Sequence, residues 1–216
     1  MKHYILTRFN KGIYAKANAA EWMQHRMDLF DRYTAPSIER QTCKDFTWVL
    51  QFDYQTPIPV LDKYRGIRGV VTTFDDFIPW VQTHHPANEA CITSRLDNDD
   101  YVERDWIEKI QAYQRKSKHD APFVLDFEGR AFEMTTGKYY NPNRLRPNSM
   151  FLSLLEPPGI PVTCVSCEHS HMPARHPSLK LKQYGWVMVC HGHNLINSIT
   201  DVMTTDNIPQ TLYANG

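Results

Sequence analysis

Between residues 3 and 116, short apolar runs of strand length alternate with longer stretches whose apolar residues recur at helical spacing. Residues 3–9 (HYILTRF) read as a strand. Asn18 and Glu21 have the spacing of an N-capping pair, and Trp22, Met23, Arg26, Met27, Phe30 and Tyr33 follow at helical intervals. Residues 46–52 (FTWVLQF) are almost wholly β-branched, aromatic or aliphatic, the pattern of a strand covered on both faces. A segment with Pro57 and Pro59 leads through a helical turn to a third strand at 68–73 (RGVVTT). Residues 75–83 predict a short helix, which tolerates Pro79 only in its first turn. Residues 90–96 (ACITSRL) make a fourth strand, and 103–116 place Trp106, Ile107, Ile110 and Tyr113 on one helical face. This alternation predicts an α/β fold with a mostly parallel central sheet.

From Pro122 the texture changes to short strands. FVLDFEG and RAFEMTTG suggest a hairpin turning near Glu128-Gly129, a loop rich in Pro and Asn occupies 141–149, and FLSLL, PVTCVSC and WVMVC read as further strands. The chain divides into an α/β nucleotide-binding half of about residues 1–118 and a more antiparallel half, about 119–216, suited to an acceptor. Its 216 residues, 42% of them hydrophobic, suffice for one core and are too few for two ordinary domains, so we expect a single domain over 1–216.

Lys plus Arg and Asp plus Glu both number 24, so no global field draws the chain to nucleic acid or to an anionic membrane. Any anionic ligand must be caught by local groups. No run of about 18 apolar residues could span a bilayer, and the N-terminus lacks the apolar stretch of a signal peptide, so the expected location is the cytoplasm. Five cysteines, an odd count, argue against a disulfide framework.

The acidic loop Asp97-Asn98-Asp99-Asp100 follows the fourth strand directly. Three carboxylates in four positions cannot all stay ionised in a partly buried loop without a counter-charge, and a divalent cation is the usual answer. A solvated charge cluster at a helix start has the same composition. What distinguishes this one is its place between a buried strand and an amphipathic helix, where open α/β sheets bind ligands.

The strings HRMDLFDRYTAPSI, QTCKDFTWVLQFDYQTP and ITSRLDNDDYVERDWIEKIQ resemble a rhamnosyltransferase family of glycosyltransferases with the GT-A fold, over about residues 4–116, with weaker echoes at YGWVMVCHGHNLIN. The resemblance implies a GT-A-like, Rossmann-like domain binding a nucleotide-sugar, UDP-, GDP- or dTDP-linked. It implies an acidic DxD-type motif holding Mn²⁺ or Mg²⁺ against the donor diphosphate. Asp99 would be the principal metal ligand and Asp97 would contact the ribose, or the metal through water. Arg95 would bind a phosphate or ribose group, and His191 or His193 would be a late metal ligand. The family name does not establish rhamnose as the sugar; a related hexose fits as well.

An inverting transferase also needs a base for the acceptor hydroxyl, for which Glu168, His169 and Asp126 are candidates. Thr7 and Arg8 end the first strand, where this fold holds the nucleotide base. Asp53 and Asp75 also follow strands and could bond base or ribose, although Asp is common there for turn chemistry alone. His169, His171, His176, Arg175 and Lys180 could face an anion from a loop that closes over the donor. Trp48, Trp106 and Trp186 lie in apolar runs and are expected in the core. Cys164-x2-Cys167 and Cys190-x2-His193 outline a zinc ribbon, which competes with a transferase role for His193.

The leading expectation is therefore metal-dependent transfer of a sugar to a hydroxyl acceptor, such as a glycan, by a chain of undetermined oligomeric state. On that expectation Asp99→Ala abolishes metal-dependent donor binding and leaves the fold intact. The alternatives are a metal-dependent phosphoesterase or hydrolase using the same carboxylates, and a zinc-stabilised binding domain.

Overall fold

The computed structural model describes residues 1–117, 119–141 and 149–192. Strand β1 (Lys2–Arg8) lies parallel to β2 (Thr47–Gln51) on one side. Its side chains alternate between two faces, and both are covered: Ile5 joins a large cluster with Trp48, Leu50, Phe30 and Tyr64, while Tyr4 and Leu6 join a second with Val49, Trp80 and Val81. A strand covered on both sides is largely apolar, which is why residues 3–9 and 46–52 lack the polar alternation of a half-exposed strand.

Between these strands run α1 (Ala19–Leu29), a π-helical segment (Phe30–Thr34) and α2 (Ala35–Glu39). Pro36, with no N–H to donate, falls in the first turn of α2, just past the widened stretch. Next come α3 (Ile58–Arg65), β3 (Val70–Thr73), α4 (Phe77–His84), β4 (Cys91–Arg95), the short β5 (Tyr101–Val102) and α5 (Trp106–Lys116). Pro79 sits in the first turn of α4, as its helix requires. β3 pairs with β2 and β4 with β1, all parallel, so the first half forms the expected parallel sheet, in the order β3-β2-β1-β4.

The second half extends that sheet through β6 (Phe123–Glu133), β7 (Lys138–Tyr140), β8 (Ser153–Glu156), α6 (Met172–Arg175) and β9 (Ser178–Cys190). The order continues β4-β8-β6-β9-β5, with β7 paired to β6. Antiparallel pairings join β8 to β4 and β6, and β5 to β9, while β6 and β9 run parallel. This is a GT-A-type fold, parallel in its first half and more antiparallel in its second. Among the described residues no helix is long and apolar enough to cross a membrane.

Two strand readings of the second half fail here. Residues 123–133 are one strand, and no hairpin turns at Glu128-Gly129; the chain turns at 134–137, where Gly137 takes φ 68°. Gly129 serves packing instead: a Cβ there would lie 2.2 Å from the Trp186 indole, which covers it from β9. PVTCVSC is not a strand either. The buried Glu156 carboxylate accepts the Val162 and Thr163 N–H groups, Thr163 takes φ 73°, and the Cys164 N–H bonds the Thr93 hydroxyl at 2.8 Å. Those bonds use backbone donors that a ladder would need, so the alternation of VTCVSC reflects a tucked loop.

One buried polar chain ties the halves together. His3 Nε2 lies 2.8 Å from Ser94 Oγ, which lies 2.6 Å from Ser153 Oγ, crossing β1, β4 and β8. Burial pushes the His3 pKa down from 6.5 to about 3, so the ring is neutral.

Candidate active site

A cleft of about 670 Å³ opens at the carboxyl ends of β1 and β4, within the range of roughly 300–1,000 Å³ that holds small molecules and cofactors. Its first wall is the turn after β1. Arg8, Asn10 and Lys11 line it, and Asn10 is fixed from both ends: its Oδ1 accepts the Asp53 N–H at 2.9 Å and its Nδ2 donates to Thr56 Oγ1 at 2.9 Å. Asp53 Oδ2 accepts the Gly12 N–H at 2.8 Å. Lys11 reaches Asp76 at 2.6 Å.

The second wall is the acidic loop. Arg95 donates to Asp97 at 3.2 Å, and both are about 30% exposed on the cleft. Asn98 points inward, donating to the Phe9 carbonyl and accepting from Arg26 Nη1 at 3.2 Å. Asp99 Oδ2 takes His191 Nε2 at 3.0 Å and a close ion pair from Arg26. His191 Nδ1 in turn lies 3.0 Å from His25 Nε2 on α1. Asp100 accepts the Val189 N–H at 2.7 Å. The end of β9 thus docks under the loop, held there by the Tyr101↔Val187 pairing with β5.

The three carboxylates sit in different fields. Burial would raise Asp99, but the His191 hydrogen bond and the Arg26 charge outweigh it and hold the group below the ordinary Asp range. Asp100 is pushed well above that range by burial, then by the charges of Asp99 and Asp97. The third wall carries Val165, Cys167, Glu168 and His169, and Glu168 is near enough to Arg95 to act on its charge.

The structure therefore brings Arg8, Arg95, Asp97, Asp99, Glu168 and His169 into one cleft, with His191 bonded behind Asp99. Other candidates lie elsewhere. Thr7 is fully buried and its hydroxyl accepts the Trp48 indole N–H at 3.0 Å, so it is committed to the core. Asp53 braces the first turn and is absent from the cleft lining, which matches its turn-chemistry reading. Asp75 is exposed outside the cleft; its neighbour Asp76 makes the Lys11 contact. Asp126 is also outside, its carboxylate accepting the Ser149 and Phe127 N–H groups, and burial raises its pKa. His193 lies outside the described residues. Cys164 packs in the second core cluster and Cys190 in the first, so among the described residues the outlined zinc ribbon is not assembled. Their distance follows from the fold: Cys164 belongs to the tucked loop beside β4, Cys190 to the far end of β9.

Among the described residues no three His, Cys, Asp or Glu form a complete cation site. The cleft's acidic wall offers oxygen donors of the kind that Mg²⁺ and Mn²⁺ take, Asp99 first, whose Oδ2 is hydrogen-bonded to His191 Nε2 at 3.0 Å. Asp97 lies on the same wall, and such ions complete their shell with phosphate oxygens and water.

Arg26 and Trp22 are the cleft residues that the sequence reading left in the helical pattern of α1. Trp22 covers the guanidinium, with 5.2 Å from Arg26 Cζ to the ring centroid. An arginine among the core-facing positions of a helix was the available signal.

The sequence matches the family described as "Putative rhamnosyl transferase" over residues 10–79 and 80–201. The chain belongs to this family of glycosyltransferases. No curated protein matches the sequence. Among solved structures, S. aureus TarS 1–349 in complex with UDP is similar, with a TM-score of 0.52 at 11% identity, over 88% of this chain and 61% of that one. A second structure of TarS 1–349 gives a TM-score of 0.45 at 13% identity, over 88% and 60% of the two chains. The chain thus spans about three fifths of the TarS chains it matches, and at such identity the likeness speaks for the fold. The rhamnosyl transferase family membership accords with the cleft's position at the carboxyl ends of its parallel strands.

Proposed function

We propose that the chain transfers a sugar from a nucleoside diphosphate donor to a hydroxyl acceptor, with Mn²⁺ or Mg²⁺ bound by Asp99, His191 and Asp97. The observation that carries this reading is the cleft itself, where the Asp97 and Asp99 wall, the basic side chains of Arg8, Lys11 and Arg95, and Glu168 with His169 share one opening. UDP is the nucleotide favoured, because the similar TarS structure holds it.

In this reading Arg8 and Lys11 meet the nucleotide at the first turn and Arg95 meets a phosphate. Glu168 takes the acceptor proton as the acceptor oxygen bonds the anomeric carbon and the bond from that carbon to the diphosphate oxygen breaks. We assign the base to Glu168 over Asp126, because Asp126 spends its oxygens on backbone N–H groups outside the cleft. Negative charge then grows on the leaving diphosphate, where Arg95 is placed to stabilise it. A bound divalent cation supplies further Lewis-acid neutralisation of that charge. The acceptor is a hydroxyl compound such as a glycan.

The test is calorimetric titration of UDP, GDP and dTDP with Mn²⁺, and again with EDTA. UDP is expected to bind with metal and to lose most of its affinity on chelation. Equal affinity in both conditions would sink the metal role, and no binding of any nucleoside diphosphate would sink the transferase reading.

A further inference from the structure

Arg26 shares the carboxylate that a cation would need. Its side chain is about nine-tenths buried, lines the cleft, pairs with Asp99 Oδ2 and donates to Asn98 at 3.2 Å. Its Nε is buried with no hydrogen-bond partner among the described residues. The same Asp99 oxygen also takes His191 at 3.0 Å. A guanidinium and a divalent ion on one carboxylate oxygen repel strongly where burial weakens solvent screening. A divalent ion at that oxygen therefore competes with the guanidinium. A guanidinium with an unused donor, lying against the Trp22 face at the cleft wall, has an obvious second partner in an anion entering the cleft.

We propose that Arg26 is a displaceable counter-ion: it neutralises Asp99 in the donor-free protein, and it leaves Asp99 for a donor phosphate when metal and nucleotide bind. The proposal rests on the transferase reading above and adds a coupling to it. Metal alone competes with Arg26 and binds weakly; nucleotide draws Arg26 away, so each ligand strengthens the other. Couplings of this kind are typically about 5- to 150-fold.

The experiment titrates Mn²⁺ into wild type and Arg26→Gln, following the free-ion signal by electron paramagnetic resonance, without and then with UDP. Wild type is expected to bind Mn²⁺ weakly alone and at least about fivefold more tightly with UDP. Arg26→Gln is expected to bind Mn²⁺ alone about tenfold more tightly than wild type, and to gain less from UDP. Equal or weaker Mn²⁺ binding by Arg26→Gln alone overturns the counter-ion role and leaves the transferase reading standing. No Mn²⁺ bound by either protein, even with UDP, overturns the metal-dependent reading and this proposal with it. Should Arg26→Gln not fold, wild type decides: its Arg26 Nη signals in ¹⁵N spectra, assigned with Arg26→Lys, must shift when Mg²⁺ and UDP are added together. Unshifted signals overturn the proposal.

Discussion

Asp99→Ala is the natural first variant for this site, and the structure changes what it should do. Asp99 and Arg26 are each about 9% exposed, so removing the carboxylate strands a guanidinium away from water and takes the acceptor from His191 Nε2. Breaking a buried ion pair by deleting one partner costs about 3–5 kcal/mol. In a chain of this size 1 kcal/mol moves Tm by roughly 2–4 °C, so Asp99→Ala should melt about 6–20 °C below wild type. Against the expectation that this substitution leaves the fold intact, the buried ion pair predicts a measurable loss of stability. Removing the stranded charge as well should recover much of the loss, so Asp99→Ala/Arg26→Met should be more stable than the two single effects sum to, by about 2 kcal/mol. Urea unfolding of the four proteins in metal-free buffer measures it. A cycle additive within about 0.5 kcal/mol, or an Asp99→Ala loss below about 1 kcal/mol, would refute the reasoning. Loss of activity in Asp99→Ala alone thus mixes stability with ligand binding. Asp97→Asn, at a carboxylate about 30% exposed, separates them.

Three further outcomes are expected. Glu168→Gln should lower kcat by about 10²- to 10⁴-fold while UDP affinity stays within twofold, and a kcat loss below about tenfold in steady-state assays would remove Glu168 as the base. His3 is neutral when folded, with a pKa lowered to about 3, whereas the unfolded chain protonates it near pH 6.5. Its contribution is therefore complete above pH 6.5 and lost as pH falls towards 3, reaching about 2 kcal/mol by pH 5. His3→Asn should lack that slope, and equal pH dependence of the two unfolding free energies contradicts the assignment. Gly129→Ala should cost about 3 kcal/mol, because the new Cβ meets an indole fixed by its N–H bond of 3.0 Å to the Phe127 carbonyl. A loss under 1 kcal/mol in urea would show that Trp186 moves freely.

Much of the first half was legible because its signals are local. Residues 46–52 are apolar without alternation since Trp48 and Val49 face different covered surfaces, and Pro79 sits where an α-helix accepts it. The second half was misread where a local signal had a distant cause. Gly129 looked like a turn residue, yet its missing Cβ makes room for Trp186, 57 positions on. VTCVSC alternated like a strand, yet Glu156 and Thr93 take the backbone donors a ladder would use.

The candidate site divides in the same way. Alternation of strand and helix, and the acidic residues 97–100 directly after β4, follow from the sequence alone, because chain order and side-chain period decide where a parallel strand ends and what it carries to that edge. The fate of each carboxylate does not. Asp99 meets Arg26 because α1 packs beside the loop, and meets His191 because β5 pairs with β9, contacts that span 73 and 92 positions of chain. Spacing along a chain carries no record of such distances, so only the tertiary structure decides that the acidic loop holds a counter-ion of its own.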